Sequence, residues 1–294
     1  MRRSTLRSDA LMLLTATIWG SAFVAQSAAM AHIGPFLFSG LRFALGAMCL
    51  VPLILRPGQM AGQRGNHRGV LVGGCAMGLA LALGINLQQV GLLFTSVTHA
   101  GFITGLYVII VPLIGLLLGH ATHAGTWAGA LLAVLGMYLL SVTAGIQVAS
   151  GDWLQLLGAF AWAGQVLLVA IFANRYDALR LAFVQFACCA VLSLGLALAF
   201  EPIHWAAIVA AGPALLYGGV VSVGLGYTLQ VISQKGAQAS HAAVIFSLEA
   251  VFAAIAGALF LGESLSGRGY LGCALMLAGM LLAQLWPNRQ PRLA

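Results

Sequence analysis

The sequence predicts an all-α polytopic membrane protein, with ten transmembrane helices in two inverted five-helix repeats and both termini cytoplasmic. Three observations predict it. Of 294 residues, 61% are hydrophobic and only 6% are charged, with a mean hydropathy of +1.01; a soluble domain carries about 25% charge. The basic residues gather in alternate loops. The two halves of the chain also resemble each other at a spacing of 142–143 residues.

A soluble fold of this composition would have almost nothing to set against water. At roughly 20 residues per span plus short loops, the length accommodates about ten spans. The net charge of +7 would suggest nucleic acid in a soluble protein; here it is a topology signal, and no nucleic-acid partner is expected. Cys49, Cys75, Cys188, Cys189 and Cys273 all lie in apolar runs. There they act as small hydrophobes, without a disulfide or metal framework.

Apolar runs place helices near 9–29, 35–55, 69–93, 98–118, 126–144, 153–173, 179–200, 211–234, 239–261 and 268–286. The first imitates a secretory signal, but reads as a retained span because Trp19 has a repeat partner in Trp162. Gly34-Pro35 and the polar run from Arg56 to Arg68 separate the next helices. Later breaks fall at Gly151-Asp152, 174–177, Glu201-Pro202 and Gly212-Pro213. No linker separates soluble domains, so the chain divides into five-helix halves, 1–145 and 146–294.

Orientation follows from the Lys/Arg bias of the loops. With the N-terminus inside, the cytoplasmic side holds Arg2, Arg3, Arg7, Arg56, Arg64, Arg68, Arg175, Arg180, Lys235, Arg289 and Arg292. Of the 13 basic residues, only Arg268 falls outside, and Arg42 lies within a span. Shifting the span count by one destroys this asymmetry.

The repeat is collinear over nearly the whole chain. A shift of 143 pairs Trp19 with Trp162 and Leu41-Arg42-Phe43 with Val184-Gln185-Phe186. At 142, Leu87-Gln88 matches Leu229-Gln230, and Thr98-His99-Ala100 matches Ser240-His241-Ala242. Gly129 and Gly136 return at 143 as Gly272 and Gly279. Five spans per half is an odd number, which forces the halves into opposite orientations. Inverted repeats are a recurring plan of secondary transporters, with the substrate site near the midplane between them.

Ser240 to Glu263 is an apolar run with an acid, Glu249, near its middle. A carboxyl at that depth is expensive and marks a functional site by default. Its repeat partner is Tyr107. His99, Ile103 and Tyr107 lie four apart on one helix face, as do His241, Ile245 and Glu249. The histidines sit at helix beginnings, where polar residues are cheap. Arg42 lies about 10 Å into the second span from Pro35; its guanidinium could grip a carboxylate or pin a neighbouring helix. Trp19, Phe23 and Gln26 share a face of the first span, and Trp162 and Gln165 one of the sixth. Asn86 with Gln89, and Tyr227 with Gln230, do the same in the third and eighth. Most of these amides are expected to join helices at about 1 kcal/mol each, with a minority lining a cavity formed by spans 1, 3, 4, 6, 8 and 9.

The run SLEAVFAAIAGALFLGESLSGRGYLGCALMLAGMLLA, Ser247 to Ala283, resembles the second-repeat signature of the EamA family in the drug/metabolite transporter superfamily. Trp19-Gly20, Arg42-Phe43 and the five-plus-five plan agree with it over essentially the full chain. Where such families usually read Leu-Glu-Pro, this chain has Leu248-Glu249-Ala250 and so no proline to kink the helix. The resemblance implies export of amino acids or other metabolites, most like the YddG-type amino-acid exporters. Because Arg-Phe belongs to the family pattern whatever the substrate, it implies a gating or structural role for Arg42.

These readings give a secondary transporter, not an enzyme, that exports amino acids or related small metabolites across the plasma (bacterial inner) membrane by alternating access. The expected substrate-binding residues are Glu249, Trp19, Trp162, Tyr107, Asn86, Gln165, Tyr227 and Gln230; Arg42, His99 and His241 are gating or structural. Its partners are a small-molecule substrate and the bilayer, with protons as the candidate coupling ion, in a monomer or weak dimer. No metal or cofactor is expected. The alternative is an exporter of lipophilic cations with the same fold. An intramembrane enzyme would need a polar cluster that this chain scarcely supplies.

Overall fold

The structure, a computed structural model, describes residues 2–56, 67–95, 97–119, 123–141, 150–262 and 266–286, and side chains there except at 2–5, 98, 99, 140, 141 and 284. Every regular element described is helical: α1 (Arg2–Ala29), α2 (Pro35–Ile54), α3 (His67–Gly91), α4 (Val97–Gly105), α5 (Tyr107–Leu117), α6 (Ala124–Ser141), α7 (Ser150–Phe172) and α8 (Ala178–Phe200). There follow α9 (Trp205–Ala210), α10 (Gly212–Leu216), a π-helix (Tyr217–Tyr227), α11 (Thr228–Ser233), α12 (Ala239–Phe246), α13 (Glu249–Phe260) and α14 (Gly267–Leu285).

Among the described residues, eight stretches are long and apolar enough to cross a bilayer: Leu6–Ala29, Pro35–Ile54, His67–Gly91, Ala100–Leu117, Ser150–Phe172, Ala178–Phe200, Gly212–Ser233 and Ala239–Phe260. The fifth and tenth apolar runs of the sequence form α6 and α14, whose apolar parts, Ala124–Leu139 and Gly267–Ala283, are shorter. These two helices pack on each other. A Cβ added at Gly136 would lie 2.5 Å from the carbonyl oxygen of Gly272, and one at Gly129 2.5 Å from that of Gly279. Small residues thus let the two backbones touch.

Three runs that read as single helices in the sequence are interrupted. Between α4 and α5 the Leu106 N–H bonds back only three residues, to the Ile103 carbonyl at 3.2 Å. Between α12 and α13, Leu248 N–H reaches Ile245 O and Ala250 N–H reaches Ser247 O, both at 3.2 Å. Ser247 Oγ also donates to Val244 O at 2.8 Å. Such i→i+3 bonds tighten the turn and leave the α path, and a back-bonding serine bends a helix. The helix breaks before Glu249 without a proline. The third interruption is the π-helix YGGVVSVGLGY, where four glycines lower the cost of leaving α geometry.

The breaks are at span centre, where irregular backbone survives only if buried in protein or lining a cavity. Here it is surrounded: α1 packs on α13 and the π-helix, α2 on α8 and the π-helix, and α3 on α7 and α8. At one end, Glu201, just after α8, caps α2. Phe36 and Leu37 N–H donate to its Oε1 and Oε2 at 2.7 and 2.8 Å. The acid meets the positive end of the helix dipole, and Pro35 at the start of α2 has no N–H to satisfy.

Candidate functional site

Tyr107 and Glu249 open α5 and α13, so both side chains leave the chain where the two spans are broken. They share a cavity with Trp19, Phe23 and Gln26 of α1, Arg42 of α2, Gln88 of α3 and Thr104 of α4. Its other walls are Trp162, Gln165 and Val166 of α7, Ser222 and Tyr227 of the π-helix, and Gln230 of α11. Its free volume is about 30 Å³, the room of one or two waters. An organic substrate enters only if the walls move.

Glu249 is 5% exposed. Its carboxyl faces Tyr107, yet its Oε1 and the Tyr107 hydroxyl have no hydrogen-bond partner among the described residues. What places it is Gly20 of α1: a Cβ there would lie 2.5 Å from Phe252 Cβ and 2.6 Å from the Glu249 carbonyl oxygen. Arg42 is 1% exposed. Its guanidinium carbon lies 5.0 Å from the Phe38 ring centre and 5.3 Å from that of Phe43, cation–π contacts that offset part of its desolvation. Its Nε and Nη2 find no acceptor among the described residues.

Tyr227 is the hub of the aromatic wall. Trp19 lies 4.6 Å from it, Phe43 5.6 Å, and Trp162 6.1 Å with the rings 19° apart. Two groups of amides join the helices around the cavity. Where α1 and α3 finish, Trp162 Nε1 donates to Gln88 Oε1 at 3.1 Å, and Gln88 Nε2 to Gln26 Oε1 at 3.2 Å. Gln155 Nε2 donates to Gln88 O at 2.9 Å, while Thr104 Oγ1 donates to Gln155 Oε1 at 3.2 Å. Toward the opposite end Gln165 and Gln230 exchange hydrogen bonds of 3.2 and 2.9 Å. Gln165 also reaches Gln185 at 3.4 Å.

The model of the EamA-like transporter family matches this chain twice, at residues 6–142 and 149–285. The chain belongs to the EamA-like transporter family. It is a multi-pass membrane protein of a family of transporters. An uncharacterized transporter of Archaeoglobus fulgidus is 30% identical over 281 residues, covering 95% of this chain and 86% of the relative. The uncharacterized transporter YwfM of Bacillus subtilis strain 168 is 27% identical over 290 residues, covering 95% and 94%. A protein of known crystal structure shares the fold, with a TM-score of 0.80 at 21% identity over 98% of this chain and 99% of that one.

Within this EamA-like fold, Glu249, Trp19, Trp162, Tyr107, Gln165, Tyr227 and Gln230 meet at the cavity. Asn86 does not. Its Nδ2 donates to Ala82 O and Ser193 Oγ, each at 2.8 Å, and it borders a separate apolar groove between α3, α7 and α8. Two residues turn a helix by about 200°, so Gln88, not Asn86, faces the cavity. Arg42, expected to gate or brace, stands in the cavity wall and adds the second span to it. His241 Nε2 meets Asp9 Oδ1 at 3.0 Å, tying α12 to α1. His99 lies on α4, and its side chain is outside the described residues. The four-residue stripes do not carry across the breaks: Thr104, rather than Ile103, joins Tyr107 at the cavity. Gln88, Thr104, Val166 and Ser222 are wall residues that the sequence does not single out for the cavity. Gln88 had a usable signal, as the repeat partner of Gln230.

Proposed function

We propose that this chain exports amino acids or related small metabolites by alternating access, through a cavity between two inverted five-helix halves, 1–145 and 146–294. Ten spans with both termini cytoplasmic complete the reading, with α6 and α14 as the fifth and tenth. The observation that carries it is the polar and aromatic cavity at two half-helix starts, Tyr107 of α5 and Glu249 of α13. Discontinuous helices meeting near the midplane are the usual site architecture of inverted-repeat transporters. The breaks support the repeat, because Leu106 and Leu248 are 142 residues apart, the repeat spacing. So does the packing: α7 with α4 and α5 mirrors α1 with α13 and α12. The amino-acid substrate rests on the resemblance to the YddG-type exporters.

In this mechanism the buried Glu249 carboxyl serves as the cation or proton site. The test is flux in sealed proteoliposomes with a panel of labelled amino acids and a lipophilic cation, over a range of pH. Export of amino acids, reduced tenfold or more by Glu249→Gln, is the expected result. Flux of the cation alone favours the multidrug alternative, and unchanged flux of Glu249→Gln at every pH removes Glu249 from the mechanism.

A further inference from the structure

We infer that Arg42 is a substrate-binding residue, and that with Glu249 it selects a ligand bearing both a carboxylate and an ammonium group. The inference rests on the reading of the central cavity as the substrate site. It is carried by two buried, charge-capable side chains that line one cavity, each short of partners. Arg42 leaves Nε and Nη2 without acceptors among the described residues, and Glu249, whose carboxyl faces the Tyr107 hydroxyl, leaves its Oε1 unpaired among them. They do not satisfy each other, since no ion pair joins them. Tyr227 lines the same cavity as both.

A buried guanidinium is always charged, and a buried charge is expensive unless paired. Braced on Phe38 and Phe43, Arg42 is held in place by contacts that consume none of its N–H donors. The planar fork is therefore free for a carboxylate, its natural bidentate partner. Glu249 offers the complementary acceptor for an ammonium. A lipophilic cation would satisfy Glu249 and leave a like charge facing Arg42; an anion would do the reverse. A zwitterion satisfies both at once. Trp19, Trp162 and Tyr227 stand ready for an apolar or aromatic side chain.

The experiment measures binding by thermal shift of the purified protein in detergent, separately from transport. The probes are leucine, methionine, phenylalanine and tryptophan, each beside its amide and its amine-free acid, with tetraphenylphosphonium as the simple cation. At least one amino acid should bind about 10- to 100-fold tighter than either of its analogues, the loss expected when a charged hydrogen-bonding group goes unpaired. Glu249→Gln should weaken the amino acid and leave the amine-free acid unchanged; Arg42→Gln should weaken the amino acid and leave the amide unchanged. If Arg42→Gln does not fold, Arg42→Lys, which keeps the charge but not the fork, should retain the preference with lower affinity. Binding of none of the four amino acids overturns the inference, as does amide or tetraphenylphosphonium binding as tightly as the amino acid. Uniform loss for all ligands in both variants overturns it too. Selective binding without flux would defeat the transport reading and keep this one, whereas flux indifferent to either ligand charge would do the opposite.

Discussion

Gly20 and Glu201 show how single residues set the geometry of the cavity from outside it. Gly20 lets α1 lie against the first turn of α13, with only 2.6 Å between its would-be Cβ and the Glu249 carbonyl oxygen. Gly20→Ala forces the two helices apart, and overpacking of this kind costs about 1–3 kcal/mol. A fall of several degrees in Tm, with weakened substrate binding, is the expected outcome; unchanged Tm and binding would show that the contact does not place Glu249. Glu201 acts at the edge of the membrane. Removing its two hydrogen bonds to α2 in Glu201→Ala should cost about 1–2 kcal/mol, with Glu201→Gln intermediate, in the same thermal assay. Neither role was legible in the sequence. Gly20 belonged to a family dipeptide, and Glu201 looked like loop punctuation, because the partners of both lie far along the chain.

At the scale of the helices, the apolar runs placed the elements well, because a span must hide its backbone polar groups whatever the details of packing. What they did not reveal was continuity. The break before Glu249 is made by Ser247 Oγ and by i→i+3 bonds, local choices that a hydrophobic run does not encode. The break in turn moved the site residues. A stripe counted four residues at a time runs through Ile103 and Ile245, but the interruption hands the wall to Thr104, Tyr107 and Glu249. Of the amides, Gln165 and Gln230 are legible by number, whereas Asn86 stands in the sequence reading where Gln88 lines the cavity, since the two differ only in which side of α3 they occupy. The glycines of α6 and α14 that recur at the repeat shift lie in the contact between the two helices. Gly136→Ala should lower Tm by several degrees, because its Cβ meets Gly272 O and Met276. Gly164→Ala, where a Cβ meets nothing within 4 Å, should be neutral or slightly stabilising. Equal effects would mean that the α6–α14 contact is not tight.

At the scale of the whole molecule, the proposed inversion makes a claim about the state not seen here. The bond from Trp162 Nε1 to Gln88 Oε1 maps, by the repeat shifts, onto a bond from Trp19 to Gln230. That second bond is unmade: Trp19 Nε1 has no partner among the described residues, and Gln230 is engaged with Gln165. If the halves exchange roles, the opposite state makes Trp19–Gln230 and releases Trp162–Gln88. Gln88→Leu and Gln230→Leu should then bias the protein toward opposite states, visible as opposite changes in labelling from the two sides of the membrane. The central claim is that one cavity opens to each side in turn. Its most direct test is a cysteine at Ser222, on the cavity wall, in a transport-active variant lacking the five native cysteines. Side-specific reagents should label it from either face of sealed vesicles, with substrate protecting it from both. Labelling from one face only, or none under turnover, would contradict alternating access through this cavity.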